Sequence, residues 1–495
     1  MQANLNAITS TASPRAPEGV WRQAFIGAWL ADWRERRRDW RVALVLALGL
    51  ALAASAALLA ALDLDRARTA RAAAASAEQG RWTGQGSKNP HSAAHYGVYV
   101  FKPLPTLAAL DPGVEHYVGT SVWLEAHKQN DMAYRAAADG AGADRQFRLT
   151  PALVLQVLAP AAMIFLGFGM FAAERERGML PALRLNGAPL GAIAAARGAV
   201  LLCLALAMAL PAVLAIALLK WHAGAAEPFH QGDAGLRTLL FASGYLVYLA
   251  TWAALVTAAS AFAPTMRAAL AILVTAWTLL TLVVPRAAVE LAQAAAPLPS
   301  MQAFRQAIDD ELGTPDDPAE AERHKQQLLR QYGVDKVADL PVNWSGISQL
   351  RSEAHGNEVF DRHYGPLFAA MAEQDRAIAL AGWLSPALAM GGLSSRLAAS
   401  DNASHLEFVQ AAERHRRLMQ QLLNSDLARH PDRDGVKYEA GEALWRSIPP
   451  LRFTYAAIDG AQLFTRWLLP LLAGLALALA LAVAALRRLR TGSVK

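Results

Sequence analysis

The chain has 495 residues, of which 54% are hydrophobic and 18% are charged. Soluble domains carry about 25% charged residues, so the composition excludes an ordinary soluble protein and indicates a membrane protein. The net charge of +6 would also suit a nucleic-acid partner. We expect no such partner, because the basic residues flank apolar runs, as they do at the inner face of a membrane.

The first segment that predicts structure is "VWRQAFIGAWLADWRERRRDW", within a cytoplasmic N-terminal segment over 1–41. Trp21, Phe25, Trp29 and Trp33 recur at every fourth position and form one stripe of an amphipathic helix. Aromatic residues followed by arginines suit a helix at the membrane interface. Two roles remain open, a simple anchor for the first span and a lever that also contacts a cytoplasmic partner.

Six apolar runs reach or nearly reach the roughly 20 residues that a membrane-spanning helix needs. They predict an α-helical polytopic membrane protein with six transmembrane helices. The third run is long enough to tilt or to break near Pro211, and Cys203 within it is expected to be a buried thiol. The runs are 42–62, 151–172, 191–219, 238–262, 268–284 and 467–486.

Arginine placement predicts the orientation. Arginines crowd the segment before the first run, and the tail after the last run is also basic, with Arg487, Arg488, Arg490 and Lys495. The positive-inside rule then places both termini in the cytoplasm, and we expect a multi-pass protein of the bacterial inner membrane. The predicted domains are the N-terminal helix 1–41, transmembrane helix 42–62, extracytoplasmic segment 63–150, transmembrane cluster 151–284 with cytoplasmic segment 173–190, extracytoplasmic segment 285–466, and helix and basic tail 467–495.

The two large segments, 63–150 and 285–466, are expected to form one extracytoplasmic domain. Helical patterns in "PSMQAFRQAIDDELG", "DPAEAERHKQQLLRQYG" and "HLEFVQAAERHRRLMQQLL" predict that this domain is mainly helical. Aromatic and β-branched residues in "HYGVYVFKP" and "HYVGTSVWLEAH" predict short strands. The fold class is therefore six transmembrane helices with a domain of α and some β structure.

A block of alternating charges follows the second apolar run, in "FGMFAAERERGMLPALRLNG" over 168–187. By pattern alone, such a block is typical of a solvated helix face. The arrangement of a span, "ERERGML", "LRLNGAP" and a further span resembles the ABC transporter type-2 permease class. The resemblance implies that Glu174, Arg175, Glu176, Gly178 and Leu180 form the interface that couples the permease to an ATP-hydrolysing subunit.

The first large segment extends this resemblance, through "NPHSAAHYGVYVFKP" and "LDPGVEHYVGTSVWLEAHKQN". These stretches resemble a bacterial family of such permeases with two large extracytoplasmic insertions. That family is related to the permease of nitrous-oxide-reductase copper-site maturation. The resemblance implies an exporter. The alternative is an ABC-driven mechanical or assembly device that acts on a periplasmic partner, for example in metal-site maturation, without transport.

The sequence contains no G-x(4)-G-K-[ST] loop for nucleotide phosphates, and neither H-E-x-x-H nor G-x-S-x-G. We therefore expect no enzyme activity and no cofactor bound by this chain, with ATP used by a separate ABC ATPase subunit. The class pairs two membrane halves, so a second copy or a sister permease is an expected partner, in addition to the lipid bilayer.

Two histidines are the feature of the sequence that most suggests a metal site. His91 and His95 would share a face of a short helix that Asn89 caps and Pro90 begins. No third ligand is marked by spacing, so the pattern favours a structural role for both over a metal site. A third interpretation of the chain, a metal-handling receptor fused to a membrane anchor, depends on that site.

Overall fold

The structure is a computed structural model that describes residues 18–135, 148–223, 227–313, 318–432 and 436–491. Within these ranges six helices are long and apolar enough to cross a membrane, which confirms the predicted polytopic fold. The predictions for 1–17, Ser493 and Lys495 lie outside the described residues. We number the spanning helices first to sixth: Trp40–Thr83, Pro151–Glu176, Leu190–Ala207, Asp233–Phe262, Met266–Ala295 and Gly460–Leu489.

Several spanning helices depart from the predicted runs. The third run is two helices, Leu190–Ala207 and Leu210–Ala223, and the break falls just before Pro211. Cys203 is exposed on the third spanning helix, so the expectation of a buried thiol is wrong for the single chain. Wider π-helical turns interrupt the second, fifth and sixth spanning helices at Val154–Leu158, Leu279–Val283 and Phe464–Leu468.

Outside these spans, the described residues form further helices and three strands. The helices are Glu18–Arg38, Pro90–Tyr96, Leu180–Leu185, Met301–Leu312, Pro318–Tyr332, Trp344–Ala381, Pro386–Leu397, Asn402–Arg429 and Glu442–Ser447. The strands are β1 (Val98–Phe101), β2 (Gly119–Leu124) and β3 (Ala133–Arg135), which form an antiparallel sheet in the order β1-β2-β3.

The first spanning helix is much longer than its apolar run. It has 44 residues, which corresponds to roughly 66 Å at 1.5 Å per residue, about twice the thickness of a bilayer core. The apolar run ends at Leu62, but the residues that follow are rich in alanine and arginine. Both have high helix propensity, so the helix continues where the hydropathy falls.

Arginines on the extramembrane half of this helix fix it to the first large segment. Arg68 donates to the carbonyl of Leu104 at 2.7 and 2.9 Å, and Arg81 donates to the carbonyl of Gly97 at 2.7 Å. At the helix end the indole of Trp82, which is 3% exposed, donates to the carbonyl of Trp445 at 2.9 Å. Trp82 thereby joins the first helix to the second large segment.

Both large segments contribute to a single hydrophobic core, and we call the unit that they form the extramembrane domain. Val100 of β1 pairs with Val122 of β2, and both side chains are buried. Phe408 and Met419 of the second segment pack in the same cluster. The prediction of a mainly helical domain with some β structure, built from two insertions, is confirmed.

A short helix of the second segment, Pro386–Leu397, joins this domain to the spanning helices. Gly244 of the fourth spanning helix contacts Leu393, and a Cβ at Gly244 would lie 2.7 Å from that side chain. Arg237, which is 2% exposed, pairs with Asp233 at 2.7 Å and donates to the carbonyl of Ala456 at 2.9 Å. The domain and the fourth helix therefore share one packed interface.

Asp111 is a buried carboxyl beside this joint. It accepts hydrogen bonds from the hydroxyl of Ser394 and from the backbone N–H of Gly113, and the amide of Gln156 lies 3.5 Å away. Burial raises the pKa of Asp111, and these hydrogen bonds oppose the rise. The folded state therefore holds this proton more tightly than the unfolded chain, and stability falls as the pH rises through the raised pKa.

We predict that Asp111→Asn raises the melting temperature of the purified protein at pH 8, because a neutral amide can be buried without burying a charge or taking up a proton. The gain should vanish below about pH 3, where the carboxyl is protonated in both states. The matched control is Asp65→Asn, at an exposed position of the first helix. Equal effects of the two substitutions at pH 8 would contradict this account.

Candidate functional site

The second spanning helix ends in a short helix, and a tight turn joins this to another short helix before the third spanning helix begins. The first, Ala172–Glu176, ends where Gly178 adopts a φ of +69°, and the Met179 N–H donates to the Glu174 carbonyl at 2.8 Å. This geometry is a common helix end that favours glycine. The second, Leu180–Leu185, is followed by Gly187 with a φ of +65°.

Two of the charged residues hold the connection between the fourth and fifth spanning helices. The guanidinium of Arg175 donates to the carbonyls of Ala261, at 2.6 Å, and Ala263, at the C-terminal end of the fourth helix. The carboxylate of Glu176 accepts from the N–H of Met266, at 2.8 Å, at the N-terminal end of the fifth. Each charge has the sign that stabilises its helix end.

Glu174 connects the same segment to the third spanning helix. Its carboxylate pairs with Arg197 at 2.5 Å, and the two side chains are 14% and 19% exposed. Arg197 also donates to the carbonyl of Met170 at 2.6 Å and lies over the ring of Phe171. The segment is therefore held to the third, fourth and fifth helices by contacts that lie within the chain.

The exposed face of the segment carries different residues. Leu180 is 4% exposed, whereas Met179 is 48% and Leu185 is 88% exposed. Arg177 and Gly178 are exposed beside them. Of the five predicted interface residues, Glu174, Arg175 and Leu180 have side chains engaged inside the chain, and Glu176 and Gly178 lie at the surface. Their contact with an ATPase stays a prediction.

The N-terminal helix packs beside this region. The rings of Trp21, Phe25, Trp29 and Trp33 form a stacked row with centroid distances of 5.5, 6.2 and 6.5 Å. Trp29 and Trp33 pack against a cluster that includes Val200 of the third spanning helix. The aromatic stripe is thus partly covered by the protein, and its role at the membrane interface stays a prediction.

The helix at His91 forms as predicted. It covers Pro90–Tyr96, the Asn89 side chain accepts from the N–H of His91 at 2.9 Å, and Gly97 follows with a φ of +57°. His91 and His95 share a face, with their Nε2 atoms 3.2 Å apart.

The structure adds His127 to this pair, at 3.3 Å from Nε2 to Nε2 of His91. Sequence reasoning did not mark this residue, because it lies in a turn after β2 and comes close through the fold alone.

Two family models match this chain, one over a range that includes the first five spanning helices and one within the extramembrane domain. The family model described as ABC-2 family transporter protein matches residues 29–331, more than half of the chain. The chain belongs to this family. A second model, described as a domain of unknown function (DUF3526), matches residues 301–455. Searches among curated proteins and among solved structures found no match.

Membership in the ABC-2 transporter family confirms the resemblance seen in the sequence. This ABC-2 protein is a multi-pass membrane permease of an ABC system, and permeases of this kind are membrane subunits that generally do not catalyse. The match includes residues 172–187, so the segment that links the third, fourth and fifth helices lies within the family's shared part.

We predict that Arg197→Ala destabilises this ABC-2 permease by about 2 kcal/mol, because Glu174 would remain largely buried without its partner. Thermal melting of the purified protein measures the effect. The control is Arg376→Ala, which breaks an exposed pair with Glu373 and should change stability by no more than about 0.5 kcal/mol. The assignment is wrong if both variants melt alike.

Proposed function

We propose that this chain is the transmembrane permease subunit of an ATP-driven ABC exporter and that a separate ATPase subunit docks on the segment 177–187. One observation carries the proposal. The segment presents Arg177, Met179 and Leu185 at the surface, while Glu174, Arg175 and Glu176 hold it to three spanning helices. A force applied to this surface therefore acts directly on the spanning helices.

The proposal divides the charge block into two roles. Arg177 is exposed and available for charge pairing with the ATPase, and Leu185 offers an apolar anchor. Glu174 and Arg175 act as positioning residues that transmit displacement to the third helix and to the connection of the fourth and fifth. An exposed leucine between polar neighbours suits the centre of a protein interface, where few residues supply most of the binding energy.

The remaining parts of the proposal follow from the class and the composition. The ATPase subunit uses ATP, and this chain binds no cofactor for that step. A second permease copy or a sister permease completes the membrane assembly. The assembly lies in a bacterial inner membrane with both termini in the cytoplasm and the extramembrane domain in the periplasm.

A second candidate function has support of its own. The first spanning helix continues without a break from the membrane to Trp82 in the core of the extramembrane domain. Such a helix suits a mechanical device that moves this domain against a periplasmic partner and transports nothing. Transport by vesicles that contain the complex, with ATP supplied, separates an exporter from such a device.

We predict that Leu185→Glu releases the ATPase from the permease. Placing a charge at an interface anchor should cost at least about 2 kcal/mol, a roughly 30-fold loss of affinity. Co-purification of the ATPase with the membrane-inserted permease measures the loss. The control is Val436→Glu, at a position of the extramembrane domain that is 70% exposed. Undiminished ATPase binding by Leu185→Glu would place the interface elsewhere.

The proposed orientation predicts a labelling pattern. In a Cys203→Ser background, Ser87→Cys and Ser345→Cys should react with an impermeant thiol reagent applied to the periplasmic side, because both positions are exposed in the extramembrane domain. Ser493→Cys in the basic tail should react only after the membrane is opened. Labelling of position 493 from outside would overturn the six-span orientation.

A further inference from the structure

Three histidines of the extramembrane domain bring their ring nitrogens together. The Nε2 atom of His91 lies 3.2 Å from that of His95 and 3.3 Å from that of His127. One ring nitrogen from each of the three lies within 4.8 Å of the others. In a tetrahedral zinc site with Zn–N bonds of about 2.0–2.1 Å, adjacent nitrogens are about 3.3–3.4 Å apart. The two short distances match the edges of such a site.

Two of these rings are hydrogen-bonded through Nδ1 to a side chain outside the cluster, so that the lone pair on Nε2 points into the cluster. The Nδ1 of His127 lies 2.8 Å from a carboxylate oxygen of Glu353. A carboxylate only accepts hydrogen bonds, so this Nδ1 carries a proton and Nε2 of the neutral ring is left as a ligand. The Nδ1 of His91 lies 3.1 Å from the side-chain oxygen of Asn424, which favours the same tautomer.

Buried charges fix the position of Glu353. Its second oxygen lies 3.3 Å from Arg416, which is 1% exposed and also pairs with Glu413 at 2.8 Å. Glu353 is therefore a carboxylate that orients the His127 ring, the arrangement common behind metal-binding histidines.

Hydrogen bonds among the three rings do not satisfy all of their inward-facing nitrogens at the same time. Nε2 of His91 has a single lone pair and faces two nitrogens at hydrogen-bond distance, so it accepts from one ring at a time. A cation at the centre satisfies all three rings together.

We propose that His91, His95 and His127 bind a divalent transition-metal ion of borderline softness, such as Zn²⁺ or Cu²⁺. Three imidazoles with neither thiolate nor carboxylate in the inner shell suit such ions. His95 is exposed, so the fourth coordination position faces solvent and accepts water or a ligand from another molecule. Sites with three protein ligands are typical of reactive or exchangeable metals, whereas closed structural sites use four.

The site also joins the two large segments. Its ligands come from the first segment, and Glu353, Arg416 and Asn424 come from the second. A bound ion would therefore stabilise the contact between the helix Pro90–Tyr96 and the helices Trp344–Ala381 and Asn402–Arg429. This inference is independent of ATPase docking, since it concerns the other end of the molecule.

The test uses the full chain in detergent with Zn²⁺ alone. After equilibrium dialysis, elemental analysis should find one equivalent of zinc per chain, and competition with a chromophoric chelator gives the affinity. Glu353→Gln should weaken binding by about 10–100-fold, the usual effect of losing an outer partner. His95→Asn and His127→Asn should weaken it further. Asparagine suits position 127, because it tolerates the φ of +62° found there.

Matched variants keep the outcome interpretable. His230→Asn, at an exposed histidine outside the cluster, should leave zinc binding unchanged. His95→Cys replaces a ligand at an exposed position, and loading it with Co²⁺ should produce a thiolate-to-cobalt absorption band that the parent lacks. Absence of zinc from the parent, equal loss in His230→Asn, or no new band in a folded His95→Cys protein would each overturn the proposal.

Discussion

The continuity of the first spanning helix constrains the whole molecule. A helix of 44 residues that begins beside the N-terminal aromatic row and ends in the core of the extramembrane domain leaves no flexible linker between the two. Bonds from Arg68 and Arg81 to backbone carbonyls fix the first large segment along its length. The extramembrane domain is therefore attached to the membrane part through one continuous helix.

A second connection runs through the fourth spanning helix. At one end Arg175 holds the connection that follows it, and at the other Arg237 bonds to the carbonyl of Ala456 in the extramembrane domain. The helix has 30 residues, or about 45 Å. The proposed ATPase surface and the domain are thus linked through the fourth helix, which is held at both ends by arginine–carbonyl bonds. This arrangement suits an exporter and a mechanical device equally.

Local signals in the sequence were sufficient for much of this fold. Apolar runs predicted six spanning helices, and the cap at Asn89, with Pro90 as the first residue, predicted the start of the short helix correctly. The length of the first helix was missed, because hydropathy reports the membrane while alanine-rich propensity continues the helix beyond it. The exposure of Cys203 was also missed, since a uniformly apolar run does not reveal which face packs against protein.

Contacts between distant segments could not be predicted in the same way. By pattern alone the charge block at 174–177 indicated a solvated helix face, and nothing local showed that Glu174 pairs with Arg197 or that Arg175 bonds to Ala261. His127 reaches His91 only because β2 pairs with β1 and places the turn after it beside the helix. Glu353 and Asn424 come from the second large segment, so their roles depend on how the two insertions pack.

The central claim is that the first helix transmits motion from the ATPase end to the extramembrane domain. Ala70 and Ala73 are exposed in its extramembrane half. Replacing each of them by glycine destabilises the helical state by about 1 kcal/mol. The decisive measurement is the distance between spin labels at Ser87→Cys and Ser243→Cys, in a Cys203→Ser background, in the assembled complex with and without ATP. The account predicts an ATP-dependent change that the double glycine variant loses while it still hydrolyses ATP. An unchanged response in that variant would contradict it.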